Sequence, residues 1–294
     1  MRAMLKVVGI TSVPVSIYAG DPNYVQPNWP SPHQFNHCII AVKISDQTTA
    51  STIIQHPALG RLLIFDPTDS ETLLGDLPFS LQGSLALIDS KEAPELVKMP
   101  ITPPEMNQLK RNATFQLSAD GSITGKVSEE SLGQTAARFR TVFRRMPKAE
   151  YNGLIERWVT NGASAARLSK IEPTDNSDHG SFTLNLEFSA PSYGQLMQGR
   201  LLVFKPAVLS RREVLDLTAS QRKHAVVLTA NAYSEVVSVQ LPVAFSVDEL
   251  PDPVKIESPF GSYVTSYEVK DRELIFKRQL SQRSSPFGFA RSTA

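Results

Sequence analysis

Two short stretches decide the fold of the first third of the chain: FNHCIIAV at residues 35–42 and RLLIFDPTD at residues 61–69. Each is a mainly apolar run of strand length, and the first is bounded by a proline-rich segment. Runs of this kind are typical of β-strands, and two of them close together in sequence favour antiparallel pairing. We therefore expect a hairpin whose connection, from about residue 45 to residue 59, is unusually long.

The expected hairpin sets a histidine beside a carboxylate. If Val42 lies opposite Arg61, then His37 lies level with Asp66, with Cβ atoms about 5 Å apart. A carboxylate in this position would fix one tautomer of the imidazole and stabilise its charged form. His37 and Asp66 are therefore candidate catalytic residues of a thiol-enzyme triad. From the residues alone, a structural hydrogen bond in the core is an equally good interpretation.

The third member of such a triad is missing. Cys38 is the one cysteine of the sequence, and successive side chains of a strand point to opposite faces, so it faces away from His37. We expect Cys38 to be a small buried hydrophobic residue rather than a nucleophile, since free cysteines are among the most buried residue types.

An ordered series of motifs resembles the second half of a bacterial transglutaminase-like core, in the subgroup flanked by uncharacterised domains. The motifs are Ala3 to Ile10, Val13-Pro14-Val15, Phe35-Asn36-His37, Phe65 to Asp69, Gly75 to Pro78 and Leu81-Gln82-Gly83. In that family a cysteine opens a helix, and a histidine and an aspartate follow on adjacent strands. His37 and Asp66 match the second and third positions, so the resemblance implies that both are catalytic. It also implies that residues 1–10 end the cysteine-bearing helix, and that the cysteine lies upstream of Met1.

The resemblance continues into a β-rich region through Pro103 to Asn107, Asp120-Gly121-Ser122, and Leu241-Pro242 to Leu250-Pro251. The fold class it implies is α+β. We expect a truncated transglutaminase-like (papain-like) core remnant, followed by a mainly antiparallel β-sandwich-like domain with two helices.

A proline-rich stretch, Lys98 to Pro104, predicts the boundary between two domains. We expect the core remnant at residues 1–100, a β-rich domain at 108–280 and a loosely ordered tail at 281–294. Helices are predicted near 129–146, with Ser128 as N-cap, and near 148–161. From residue 164 onward the apolar residues alternate, which is typical of an antiparallel sheet with one buried face.

The composition excludes several classes of partner and cofactor. A net charge of +1 and a pI near 7.8 give no reason to expect nucleic acid. No segment has the roughly 18 apolar residues of a membrane span, and we expect no signal sequence in these residues, although the resemblance implies that full-length relatives are typically exported. His33 and His37 are four residues apart, but the flanking prolines favour extended chain over a metal-binding helix. We therefore expect neither a metal nor another cofactor.

Two functional hypotheses of different classes remain. In the first, the chain is a fragment of a transglutaminase-like protein that transfers acyl groups or hydrolyses peptide or amide bonds, inactive alone because the nucleophilic cysteine is absent. In the second, it is a noncatalytic β-sandwich module that binds a peptide or protein partner through an open sheet edge, and the cell envelope is a place where it could act.

Overall fold

A computed structural model describes residues 1–90, 93–211, 227–243 and 245–284. These residues form two compact units, each with its own hydrophobic core. The first unit takes in Met1–Asn107 together with the described residues 227–230 and 283–284. The second takes in the described parts of Gln108–Lys223 and Asn231–Gln282.

The first unit is built on a six-stranded antiparallel sheet in the order β3-β4-β2-β1-β5-β6. Its strands are β1 (Ser12–Ile17), β2 (His37–Lys43), β3 (Ile53–His56), β4 (Gly60–Phe65), β5 (Leu85–Ile88) and β6 (Glu95–Lys98). Its helices are α1 (Arg2–Val7) and two single 3₁₀ turns at Pro32–Gln34 and Pro104–Met106. Because side chains alternate along a strand, β2 sends Ile39 and Ala41 into the core, where they meet Val15 of β1 and Ile64 of β4.

Two motifs of the first unit, Gly75 to Pro78 and Leu81-Gln82-Gly83, lie in the segment that covers this core. Leu77 and Leu81 are buried against the sheet. The Gln82 amide donates to the Leu77 carbonyl at 2.7 Å, and its oxygen accepts from the Thr102 backbone N–H at 3.0 Å. Asp76 Oδ1 accepts from the Thr102 hydroxyl at 3.1 Å. The polar residues of both motifs therefore satisfy buried backbone groups, as burial requires.

The expectation of an α+β papain-like core remnant is wrong. Among the described residues of the first unit, the one α-helix is the six-residue α1, which buries no side chain. The motifs that suggested a helix followed by a few strands lie instead in and around a six-stranded sheet. The fold is β-rich because the apolar runs are short and turn-bounded throughout the unit.

The second unit contains an eight-stranded sheet in the order β14-β15-β16-β13-β7-β8-β10-β9, antiparallel except for the parallel pair β13 and β7. Its strands are β7 (Gln108–Leu117), β8 (Ile123–Leu132), β9 (Arg167–Asn176), β10 (Ser181–Ala190), β13 (Asn231–Gln240), β14 (Lys255–Ser258), β15 (Gly261–Lys270) and β16 (Glu273–Gln282). A separate ribbon pairs β11 (Gln195–Met197) with β12 (Leu201–Val203). A 3₁₀ turn, Ser177–His179, joins β9 to β10.

Two helices cover one face of the eight-stranded sheet: α2 (Gly133–Arg145) and α3 (Lys148–Gly162). Tyr151, Ile155 and Val159 of α3 join the core of the sheet. Along β7 every second residue is buried and the residues between are exposed. The expected β-sandwich is therefore wrong: the apolar face is covered by helices, and none of the described strands forms a second sheet on the polar face of β7.

The helix α2 begins at Gly133, so the prediction of Ser128 as its N-cap is wrong. Residues 128–132 continue β8; all five pair with β10, and residues 128–131 also pair with β7. The acidic pair Glu129 and Glu130 favoured a helix start in the sequence, but pairing with two strands overrides that local preference. One consequence is that Glu129 alternates into the buried face of the sheet, while Glu130 remains exposed.

The structure describes only the first four residues of the predicted tail at 281–294. Ser281 and Gln282, assigned to a loose tail from the sequence, belong to β16. The rest of that tail, from residue 285 onward, lies outside the described residues. Among the described helices, none is long and apolar enough to cross a membrane.

Candidate histidine–aspartate site

His37 and Asp66 meet at the edge of the core in the first unit. His37 Nε2 lies 2.9 Å from Asp66 Oδ2, with the histidine side chain 26% exposed and the aspartate 6% exposed. His37 begins β2, and Asp66 follows the last residue of β4. The two strands bring the side chains to the same face, the one that carries the core.

The register of the two strands differs from the predicted one. Val42 lies opposite Leu63 rather than Arg61, a shift of two residues. A shift of two keeps every side chain on its face, whereas a shift of one would have moved Asp66 to the opposite face. His37 and Asp66 are therefore diagonal neighbours instead of directly opposed, and the imidazole and the carboxylate span the longer distance.

Asp66 is held by the turn that follows it. Its Oδ1 accepts from the Thr68 backbone N–H at 2.9 Å and from the Thr68 hydroxyl at 2.7 Å. This is the local side-chain to backbone bonding that Asp makes in turns. Because Thr68 binds Oδ1, Oδ2 is the oxygen that contacts His37. The two hydrogen bonds from Thr68 fix the orientation of the carboxylate independently of the imidazole.

His37 is positioned by the residue before it. Asn36 extends the pairing of β1 and β2 by one step: its Oδ1 accepts from the Ala19 N–H at 2.7 Å, and its Nδ2 donates to the Ala19 carbonyl at 3.2 Å. Cross-strand from His37 is Ile17. In the sequence, Asn36 stands out only as part of a motif. A side chain that takes the place of a backbone hydrogen bond between strands leaves no recognisable sequence pattern.

The loop before His37 is held by Gln34, another residue that sequence analysis passed over. Its Oε1 accepts from the Gln26 N–H at 2.6 Å, and its Nε2 donates to the Gln26 carbonyl and to the Trp29 carbonyl. Gln34 is buried although it is polar. The proline-rich loop is thereby tied to the start of the histidine strand.

Cys38 lies next to His37 in sequence but on the opposite face of the sheet, as alternation requires. The expectation that it is buried is wrong, since the residue is exposed. On the same face of β2, Ile40 is buried, whereas Cys38, nearer the start of the strand, is exposed. Its sulfur lies 3.7 Å from the Ile39 carbonyl oxygen.

The arrangement fixes which nitrogen of His37 is available for chemistry. If the Nε2–H group donates its hydrogen bond to Asp66, then Nδ1 is the acceptor nitrogen of the neutral ring. Nδ1 makes no hydrogen bond to a described residue, and the ring is partly exposed. Among the described residues, no group of three or more His, Cys, Asp and Glu side chains converges as a metal site would require.

A second charged constellation, in the second unit, escaped sequence analysis. Four directly opposed residues on adjacent strands alternate in charge across the buried face of the sheet: Glu129 on β8, Arg111 on β7, Glu235 on β13 and Arg278 on β16. Arg111 contacts Glu129 at 2.6 Å and Glu235 at 2.7 Å, and Arg278 contacts Glu235 at 2.6 Å. We name these four residues the charge row.

Arg211 binds the end of the charge row. Its Nη2 lies 2.5 Å and its Nε 2.8 Å from Glu129 Oε2. Burial alone would raise the pKa of Glu129, but the guanidinium groups of Arg211 and Arg111 outweigh burial and hold that pKa below its ordinary value. Burial opposes the charge of Arg111, yet Glu129, Tyr233 and Glu235 leave its pKa raised. Glu129 and Arg111 are therefore both ionised at neutral pH.

Comparison with known proteins gives two matches. Residues 199–285 match a family described as a domain of unknown function with a solved structure, DUF3858. A crystal structure described as a "putative protease" from Parabacteroides distasonis is similar over 96% of this chain and 36% of that one, at 9% identity and a TM-score of 0.41. No curated protein matches. The chain thus spans little more than a third of the length of the solved structure.

Proposed function

We propose that His37 and Asp66 are the histidine–carboxylate dyad of a transglutaminase-like centre that transfers acyl groups or hydrolyses amide bonds by thiol chemistry. The observation that carries the proposal is the 2.9 Å contact between His37 Nε2 and Asp66 Oδ2, with Nδ1 left without a partner among the described residues. The substrate class is a peptide or protein amide. Cys38 lies on the wrong face, so the thiol comes from outside this sequence.

In the proposed reaction, His37 Nδ1 takes the proton of an incoming thiol, and the thiolate attacks the carbonyl carbon of the amide. The imidazolium formed in this step is stabilised by Asp66. It then gives its proton to the leaving amine, which leaves an acyl-thioester. Water or a second amine attacks the thioester with Nδ1 again as the base, and the thiol is restored.

The fixed orientation of Asp66 supports a role beyond simple packing. Thr68 holds one oxygen of the carboxylate with two hydrogen bonds, so the other oxygen presents a defined acceptor to the imidazole. Asn36, the residue before His37, binds the Ala19 backbone and so fixes the chain next to the imidazole. A dyad whose two members are each fixed by a neighbour loses little entropy when it acts, as catalysis requires.

The test supplies the missing thiol from solution. Purified protein is incubated with p-nitrophenyl acetate and N-acetylcysteamine, and the thiol-dependent rate of p-nitrophenolate release is measured. We expect the wild type to exceed His37→Gln by roughly a hundredfold, the lower end of general-base contributions. Asp66→Asn should also lose most of the rate, because its amide can present a donor to Nε2 and favour the wrong tautomer.

The matched control is His33→Gln, which removes an exposed imidazole four residues from the dyad and should leave the thiol-dependent rate unchanged. Circular dichroism establishes that each variant is folded. Equal rates for wild type and His37→Gln in folded proteins would refute the dyad. The chain would then be treated as a binding module, the other function class that the sequence suggested.

A further inference from the structure

A cavity of about 200 Å³ lies in the second unit, between the eight-stranded sheet and the helices α2 and α3. Most of its wall is apolar. Leu109 and Leu184 line it from the sheet, Val142 from α2, and Leu154 and Ile155 from α3. Cavities of this size and character take small organic molecules, since an apolar cavity of about 150 Å³ holds benzene.

One end of the cavity is polar, and it adjoins the charge row. Glu129 and Arg211 line the cavity, together with Tyr151 of α3. Both oxygens of Glu129 are occupied by guanidinium groups. Arg211 uses Nε and Nη2 for Glu129, and its Nη1 makes no hydrogen bond to a described residue.

Tyr151 lines the cavity close to Arg211 and Glu129. The residue is 5% exposed, yet its hydroxyl has no hydrogen-bond partner among the described residues. Burial raises the pKa of Tyr151 to about 12, with Arg211 and Glu129 close enough to act on it, so the hydroxyl keeps its proton and remains a donor.

The charges around the polar end favour an anion. Among the described residues, the charge row and Arg211 hold three arginines and two glutamates, which is one positive charge in excess. A buried group of ions is stable only when its charges are compensated, so one negative charge would complete the set. A carboxylate fits the planar donor geometry of a guanidinium better than a single-point acceptor does.

We propose that this cavity binds a small organic anion of about six to eight carbons in all, one of them in a carboxylate, a size set by comparison with benzene in its cavity. The carboxylate accepts hydrogen bonds from the Tyr151 hydroxyl and from Arg211, and the apolar body lies against Leu109, Leu184 and Leu154. The site belongs to the second unit and does not depend on the histidine–aspartate dyad.

Hexanoate is the probe, and hexan-1-ol is its neutral match of equal chain length. Binding to the full chain is measured by isothermal titration calorimetry and by the shift in melting temperature. We expect hexanoate to bind at millimolar or lower concentration, and hexan-1-ol to bind at least about tenfold more weakly, the difference that a charged hydrogen bond makes. Tyr151→Phe keeps the ring and removes the hydroxyl, so it should weaken hexanoate binding by roughly tenfold.

The matched control is Tyr193→Phe, which removes a hydroxyl that donates to the Lys205 carbonyl and does not line the cavity. It should leave hexanoate binding unchanged. A second variant, Val142→Phe, fills the cavity and should abolish binding without unpairing any polar group. The proposal is overturned if hexanoate does not bind, if hexan-1-ol binds as tightly, or if the folded Tyr151→Phe protein binds hexanoate like the wild type.

Discussion

At the scale of single residues, the ion pairs of the charge row are set by strand register. Glu129, Arg111 and Glu235 form a continuous line of opposite charges only because three strands align them directly across from one another. In the sequence each looks like an ordinary surface charge, and Glu129 looks like the first turn of a helix. Their partners are between 18 and 124 residues away along the chain, so no local pattern reveals them.

Glu129→Gln should be strongly destabilising. The substitution keeps the size of the side chain but leaves Arg111 and Arg211 facing a neutral amide in a buried site, which costs about 3–5 kcal/mol. The effect should depend on pH. The pKa of Glu129 in the folded protein lies below its ordinary value of 4.5. Its stabilisation is therefore complete above pH 4.5 and is lost as the pH falls through the folded pKa. Urea denaturation of both proteins across this range measures the difference.

Glu130→Gln is the matched control, because it is the next residue of the same strand and is exposed. Surface substitutions of this kind usually change the free energy of unfolding by less than about 0.5 kcal/mol. If Glu129→Gln proves no more destabilising than Glu130→Gln at neutral pH, the charge row does not contribute to stability as its geometry indicates.

At the scale of elements, Gly125 on β8 allows side chains of the two neighbouring strands to contact each other across it. It lies directly opposite Phe115 on β7 and Phe188 on β10, and the two rings meet edge to face with centroids 5.7 Å apart. A Cβ at Gly125 would overlap Phe115 and the Thr114 carbonyl. The absence of a side chain on the central strand is what lets the rings of the outer strands meet.

We expect Gly125→Ala to lower the free energy of unfolding by about 1–3 kcal/mol, the usual cost of overpacking a core. The same substitution in α3, Gly153→Ala, should instead raise the free energy of unfolding. A Cβ there approaches only the end of the Arg157 side chain, at 3.4 Å. Alanine in a helix interior is favoured over glycine by about 0.5–1 kcal/mol. Chemical denaturation of the two variants decides the matter, and a gain or no change for Gly125→Ala would contradict the packing described.

At the scale of the whole molecule, local sequence patterns predicted individual strands better than the way the strands and helices pack together. The alternation of Phe182, Leu184 and Leu186 is that of a half-buried strand, and these residues lie in β10. What covers an apolar face is not encoded locally: the same alternation suits a second sheet or a pair of helices, and here α2 and α3 cover it. The papain-like topology was wrong for a related reason, since motifs give residue order but not strand neighbours.

The candidate site shows the same division. His37 and Asp66 could be paired from the sequence because a register error of two residues leaves both on one face. Cys38 could be excluded by alternation alone, although not its exposure. Asn36 and Thr68, which hold the two members of the dyad, act through backbone geometry and could not be found from spacing. Tyr151 has no neighbours in sequence that mark its hydroxyl as unpaired.

The most direct test of the histidine–aspartate dyad is the protonation of the two ring nitrogens of His37. Long-range ¹H–¹⁵N spectra of labelled protein, recorded where the ring is neutral, distinguish them, and His33→Gln and His37→Gln assign the signals. We expect the proton on Nε2 in the wild type, with Nδ1 bare, and a shift toward mixed tautomers in Asp66→Asn. A wild-type ring with its proton on Nδ1, or one unchanged by Asp66→Asn, would contradict the dyad and the function proposed for it.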